Sequence, residues 1–96
     1  MGIIIRGLGV LTDEILADVD DQATFGQNVR RLRQAMGLSQ ESLALRAGVD
    51  RSYLGSVERG QRNISLGGIA AIARALDVPA ADLLSGIPVE AVPSKG

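Results

Sequence analysis

Arginines dominate the basic residues of this chain and cluster in its middle. Nine of the ten basic side chains are Arg, and eight of those lie between residues 26 and 75. Because only three carboxylates lie there, this segment carries a net charge of +5, whereas residues 1–25 carry −4 and residues 76–96 carry −2. The guanidinium group is a planar fork of donors that suits phosphate or guanine. The segment is therefore either a solvated charged face or a contact surface for an anionic partner.

The residue types that are missing exclude several kinds of chemistry. The 96 residues include no Cys and no His, which excludes disulfides, thiolate or imidazole metal sites and His-based acid–base catalysis. No Gly-rich phosphate loop follows a strand, and the carboxylates are scattered over capping positions. We therefore expect no enzyme, no metal and no cofactor. With no secretory signal and no apolar run long enough to span a bilayer, we expect a cytoplasmic protein without membrane contacts.

Apolar residues recur at helical spacing from Thr24 onward, and capping residues interrupt them every ten to fifteen positions. The first helix ends at Gly37, and the others are expected over residues 40–47, 51–58 and 66–76 and from Pro79 to about Gly86. The expected N-caps are Ser39, Asp50 and Ser65. The expected inward residues are Phe25, Val29, Leu32 and Met36; Leu43, Ala44 and Ala47; Leu54 and Val57; Leu66, Ile69, Ala70, Ala73 and Leu76; and Leu83, Leu84 and Ile87. The sequence thus predicts an all-α domain of five helices.

Three segments are expected along the chain. Residues 24–88 form the helical domain, residues 1–23 an N-terminal extension, and residues 89–96 a C-terminal tail. The extension contains β-prone Ile3 to Ile5 and an acidic stretch from Thr12 to Val19 that could form a short helix. An edge strand, an arm packed on a neighbouring subunit and a partly ordered leader all stay open for it.

The second and third helices, separated by a tight turn, form a helix-turn-helix pattern in SQESLALRAGVDRSYLGSVERG, residues 39–60. Ala44 is small enough for the two helices to cross closely, and Gly48 permits the positive φ of a sharp turn. The outer face of the third helix is expected to present Arg51, Ser52, Gly55 and Ser56.

Together with FGQNVRRLRQAMGL before it and ISLGGIAAIARALDVPAADLL after it, this segment resembles the XRE family, the helix-turn-helix regulators of the lambda and 434 repressor and Cro type. The likeness covers residues 25–84 and implies a lambda-repressor-like fold that binds double-stranded DNA. Within the family, DRSYLGSVERGQRNIS is most similar to controller proteins of restriction-modification systems.

The resemblance implies DNA-contacting residues in and around the third helix. Arg51, Ser52 and Ser56 would face base edges, and Gln40 would contact a phosphate and buttress the third helix. Arg62 and Asn63 resemble the phosphate clamp of the family. Tyr53 would lie at the rim of the interface or cover the edge of the core, and Gly55 leaves a gap where many relatives have a larger residue.

The resemblance also implies a buried ion pair, a dimer and a function. Arg33 and Glu58 match a pair that joins the first helix to the end of the third, and the apolar residues Val78, Leu84 and Ile87 are candidates for a homodimer interface. The implied function is a homodimeric transcriptional regulator on a pseudo-palindromic operator, controlling a restriction-modification operon. The alternative is an antitoxin-type regulator that binds a protein partner through residues 1–23.

Overall fold

Five helices make up the described part of the chain. The computed structural model describes the backbone of residues 10–87 and the side chains of residues 21–87. The helices are α1 (Val10–Ala35), α2 (Gln40–Ala47), α3 (Arg51–Glu58), α4 (Leu66–Leu76) and α5 (Ala80–Leu83). No strand occurs in residues 10–87, and the all-α prediction is confirmed. Within the same residues, no helix combines the length and the apolar character needed to cross a membrane.

The helix ends follow the capping residues that the sequence predicts. Ser39 Oγ accepts a hydrogen bond from the backbone N–H of Ser42 at 3.0 Å, and Ser65 Oγ accepts one from Gly68 at 3.1 Å. Gly48 ends α2 in the left-handed conformation, with φ of 73°. Because these caps satisfy backbone groups that the helices leave unpaired, they set the bounds of α2 and α4.

The first helix is longer than the pattern from Thr24 predicts. It begins at Val10 and runs without a break through residues 23 and 24, so the acidic stretch from Thr12 to Val19 is helical. The expectations for Ile3 to Ile5 and for the tail at 89–96 lie outside the described residues.

The core is built by side chains from all five helices. Buried apolar residues are Phe25, Val29, Leu43, Ala44, Leu54, Val57, Ile72, Ala73, Ala75, Leu76 and Leu83. Helix α1 packs against α3, α4 and α5, while α2 packs against α3 and α4. The helix-turn-helix pair is thus held on two sides by the same small core.

Three residues expected to point inward are exposed instead. Leu66 is 80% exposed because it opens α4 in the first turn, before the helix meets the core. Met36 is 42% exposed because α1 ends at Ala35 and the chain turns there. Leu84 is 43% exposed because it follows the last residue of α5. Ile72, which the apolar spacing does not place inward, is fully buried.

The fifth helix is shorter than expected. It covers four residues, Ala80–Leu83, and Pro79 is its N-cap rather than its first helical residue. The chain then turns, and Gly86 adopts a positive φ of 85°. Only Leu83 of its three expected inward residues is fully shielded from solvent.

Candidate nucleic-acid interface

Helix α3 begins at an acidic cap that also engages Ser52. Asp50 Oδ2 accepts a hydrogen bond from the backbone N–H of Ser52 at 3.1 Å and a second, short one from the Ser52 hydroxyl. These hydrogen bonds to the ionised carboxylate lower the pKa of Asp50 below its ordinary value of 3.8, the hydroxyl contributing most. The carboxylate thus caps the helix directly beside the exposed Arg51 and Ser52.

The outer face of α3 is narrower than the sequence predicts. Arg51 and Ser52 are exposed, as expected, but Gly55 and Ser56 are both buried. Ser56 is 8% exposed because its hydroxyl points back along the helix and donates to the carbonyl oxygen of Tyr53 at 2.7 Å. The expectation that Gly55 and Ser56 are solvent-facing is therefore wrong.

Ser56 also joins the helix to the loop that follows it. Its hydroxyl oxygen accepts a hydrogen bond from Arg62 Nε at 3.0 Å, and the guanidinium carbon of Arg62 lies 5.2 Å from the centre of the Tyr53 ring. A guanidinium above an aromatic ring is attracted to the partial negative charge on the face of that ring. Ser56 and Tyr53 therefore hold the exposed Arg62 in place, and Asn63 is exposed next to it.

The far end of α3 is anchored by a buried ion pair. Arg33 Nε and Nη2 donate to the two carboxylate oxygens of Glu58 at 2.6 and 3.0 Å, and Arg33 Nη1 donates to the carbonyl oxygen of Leu38 at 2.8 Å. Gln40 Nε2 donates to Glu58 Oε1 at 2.9 Å. This bidentate geometry offsets the cost of a buried carboxylate at the negative end of a helix. Gln40 thus supports α3 from the start of α2.

Two of the three residues expected at a dimer interface line the same cleft. Leu84 and Ile87 line a shallow cleft of about 140 Å³ together with apolar Phe25, Ile64 and Ile69 and with polar Asp21, Gln22, Arg62 and Asn63. Val78 is half-buried against the core and does not line that cleft.

Two arrangements were not expected from the sequence. Asn28 of α1 is buried, and its amide donates to the carbonyl oxygens of Leu83 and Ser85 at 2.9 and 2.7 Å. Arg59 lies over Gly55, where a Cβ would come within 3.2 Å of Arg59 Nη1. The sequence signal for the first was a polar residue on the helix face of Phe25 and Leu32, and for the second an arginine at the end of α3, four positions after a glycine.

A protein-family model matches residues 29–83 of the chain, which contain the end of α1 and all of the other four helices. The matching family model is described as helix-turn-helix, HTH_3. The chain belongs to this family.

Named relatives narrow the likeness. The chain is 46% identical over 61 residues to control protein C.BamHI of Bacillus amyloliquefaciens, a match of 62% of this chain and 75% of that protein. It is 37% identical over 75 residues to control protein C.SmaI of Serratia marcescens, a match of 78% of this chain and 89% of that protein. The crystal structure of the restriction-modification controller protein C.AhdI from Aeromonas hydrophila is similar, with a TM-score of 0.66, 56% identity and coverage of 67% and 97%.

This member of HTH_3 is a DNA-binding transcriptional regulator related to restriction-modification controller proteins, and its family is one of regulators, not of enzymes. The resemblance to XRE-type regulators and the lambda-repressor-like fold are confirmed.

Proposed function

We propose that the chain acts as a homodimer, reads a pseudo-palindromic operator through α3 and controls a restriction-modification operon. The observation that carries this proposal is the exposed start of α3, where Arg51 and Ser52 lie beside the Asp50 cap while the rest of the helix is fixed by α1 and α2. A helix held in this way can enter a major groove without rearranging. The names of C.BamHI, C.SmaI and C.AhdI support the link to restriction-modification systems.

Arg51 and Ser52 are the base-reading residues in this proposal. The fork of the Arg51 guanidinium matches O6 and N7 of guanine, a contact worth about 1–3 kcal/mol of discrimination. The Ser52 hydroxyl donates to Asp50, so toward DNA it offers lone pairs to an amino group of adenine or cytosine. The two adjacent residues would thus read neighbouring base pairs.

Arg62, Asn63 and Gln40 are the backbone-contacting residues in this proposal. The guanidinium of Arg62 is pre-organised by Ser56 and Tyr53, which lowers the entropy lost when it meets a phosphate. Because the Ser56 hydroxyl is already engaged twice, we assign Ser56 to positioning Arg62 rather than to reading a base. Tyr53 has the same positioning role through its ring.

A dimer supplies the second recognition helix. Related by a two-fold axis, two copies of α3 would enter successive major grooves about 34 Å apart, which requires an inverted repeat. Leu84 and Ile87, which belong to the apolar part of the cleft, are the proposed centre of the interface, with Val78 beside the core.

A selection of bound duplexes from a random library tests the reading role. We expect an inverted repeat with half-sites about one helical turn apart. Arg51→Ala should relax one base pair in each half-site, whereas Arg62→Ala should weaken all sequences alike and reduce the salt slope by about one. Arg74→Ala, an exposed arginine at the end of α4, is the control for lost charge. Uniform weakening by both Arg51→Ala and Arg62→Ala would contradict the assignment.

Sedimentation across a range of concentrations tests the dimer. Leu84→Glu and Ile87→Glu should shift the chain toward the monomer because a buried carboxylate in an apolar interface is costly. Leu45→Glu, at a leucine that is 82% exposed on α2, is the matched control. A wild-type monomer at tens of micromolar would contradict the proposed interface.

The proposed control of a restriction-modification operon is tested by locating the selected operator sequences in the source genome. We expect them beside genes for a restriction endonuclease or its methyltransferase, and a reporter would tell repression from activation. A regulator of such genes works in the cytoplasm.

The alternative, a protein partner bound through residues 1–23, also stays a prediction. Helix α1 begins at Val10, well before the family match at residue 29, so this segment adds helix to the family domain. Co-purification of a stable partner from the source organism would support this alternative.

A further inference from the structure

Three residues lie in a row along one side of α3, from the residue that starts the helix to the residue that ends it. Residues 51, 55 and 59 are each four positions apart, so they lie above one another on one face. Arg51 starts this stripe, Arg59 is the C-cap that ends it, and Gly55 stands between them. The stripe is thus two arginines separated by a position without a side chain.

The space above Gly55 is occupied by the side chain of Arg59. A Cβ at Gly55 would lie 3.2 Å from Arg59 Nη1 and 3.6 Å from Gln40 Oε1. Helical side chains lean toward the N-terminus of their helix, so Arg59 extends back over the turn that contains Gly55. The guanidinium therefore lies about one turn nearer to Arg51 than the Arg59 backbone does.

Neighbouring side chains hold this arrangement. Arg59 Nε donates to Gln61 Oε1 at 3.3 Å, and Gln40 is itself fixed by its hydrogen bond to Glu58. Among the described side chains of residues 21–87, the bond to Gln61 is the one hydrogen bond that the Arg59 guanidinium makes. Both of its Nη groups therefore stay available to a further pair of acceptors. Arg59 is exposed on the same face as Arg51 and Ser52.

We propose that Gly55 and Arg59 act together as a second specificity-determining unit, in which the guanidinium of Arg59, lying over Gly55, reads a guanine in the major groove. This inference rests on the proposed entry of α3 into that groove. The guanine is a different one from that read by Arg51.

The spacing along α3 sets where this guanine lies. Arg51 and Arg59 are eight residues apart, which is a rise of about 12 Å along the helix, and both side chains lean toward the helix N-terminus. A helix aligned with the groove would therefore place the two arginine forks about three to four base-pair steps of 3.4 Å apart. Each half-site should contain two guanines at that spacing, on either strand.

A contact to phosphate is the competing role for Arg59, and lysine separates the two. An ammonium group keeps the attraction to phosphate but lacks the fork that grips O6 and N7 together. If Arg59 reads a base, Arg59→Lys loses discrimination at that base pair. If Arg59 contacts phosphate, Arg59→Lys keeps the wild-type preference.

The test measures dissociation constants on duplexes selected by the wild-type chain and on duplexes changed at one base pair at a time. We expect Arg59→Ala and Arg59→Lys each to lower discrimination about tenfold at one position, and Arg51→Ala to do so at another. Arg74→Ala, which removes an exposed arginine from α4, should leave every preference intact. Circular dichroism verifies that each variant is folded.

Gly55→Ala tests the pairing while keeping Arg59. The added methyl group would push the guanidinium away by a few tenths of an ångström, so the same base pair should lose part of the discrimination that it loses in Arg59→Ala. Gly67→Ala is the matched control, because a Cβ in that helical position meets only Ser65 Oγ, at 3.9 Å.

The outcomes separate this inference from the function on which it rests. If wild-type protein selects an inverted repeat but Arg59→Ala weakens all duplexes equally, Arg59 does not read a base and only this inference is overturned. If the wild-type protein selects no sequence, both the proposed operator binding and this inference are overturned.

Discussion

Gly26 of α1 lies directly against the carbonyl oxygen of Val57 near the end of α3. A Cβ at Gly26 would be 2.3 Å from that oxygen and 2.7 Å from the carbonyl oxygen of Glu58. A few residues further along α1, Arg33 grips the carboxylate of Glu58. The close approach and the ion pair together fix the C-terminal end of α3, while its N-terminal end with Arg51 stays exposed.

Gly26→Ala should destabilise the fold. The methyl group meets rigid backbone on α3, so the helices must move apart, at a cost of about 1–3 kcal/mol. Urea unfolding followed by circular dichroism measures the free energy of unfolding. A variant as stable as the wild type would show that α1 and α3 do not approach each other so closely.

Gly55→Ala should have the opposite effect on stability. It is also a helical glycine, but its nearest neighbour is the flexible end of Arg59, which can move away. Alanine is favoured over glycine inside a helix, so we expect a gain of up to about 1 kcal/mol in the same assay. A loss of stability would mean that the Arg59 and Gln40 side chains above Gly55 cannot yield.

The Arg33–Glu58 pair should show strong coupling. Removing one partner leaves the other charge buried, so Arg33→Met or Glu58→Gln should each cost about 3 kcal/mol of unfolding free energy. The double variant should lose less than the sum of the two because no buried charge is left uncompensated. Arg30→Met, an exposed arginine on α1, controls for the change in side-chain type. If the losses of unfolding free energy in the two single variants simply add in the double variant, Arg33 and Glu58 do not interact in solution.

Asn28→Ala should loosen the packing of α5 on α1. The amide of Asn28 satisfies two carbonyl groups at the end of α5, and without it the buried Leu83 carbonyl loses this donor, at a cost of about 1–3 kcal/mol. Asn28→Asp should also destabilise this region, because one carboxylate oxygen would face the same two carbonyl oxygens, while the other would keep the hydrogen bond that Asn28 Oδ1 accepts from Arg31 Nη2 at 3.1 Å. Gln27→Ala, at an exposed neighbour, should change little. Hydrogen exchange would locate the loss near residues 83–85, and unchanged protection there would contradict this role.

The cap at Asp50 should make stability depend on acid pH. Since hydrogen bonds from Ser52 lower the pKa of Asp50 in the folded chain, its stabilising effect is complete above the ordinary value of 3.8 and disappears as the pH falls through the lower, folded-state pKa. Asp50→Asn keeps a capping oxygen but cannot ionise. The difference in thermal midpoint between wild type and this variant should therefore shrink as the pH falls. A difference that is constant with pH would contradict the cap.

The local signals of the sequence predicted α2, α3 and α4 closely. Ser39, Asp50 and Ser65 cap them as expected, because an N-cap depends on one side chain and the backbone a few residues ahead. The start of α1 at Val10 was not predicted, because Gly7 and Gly9 and the acidic residues that follow gave no clear apolar stripe.

Residue types and spacing along the chain determine the helices, their caps, the turn at Gly48 and membership in a DNA-binding family, since all of these depend on short-range interactions. How helices cross depends on contacts between residues far apart in the chain. Those contacts hold the Asn28 amide against the Leu83 carbonyl oxygen, set Gly26 against Val57 and leave Leu66 and Leu84 exposed. Periodicity identifies the side of a helix that is apolar, but the depth to which each residue of that side is buried depends on where the neighbouring helix passes.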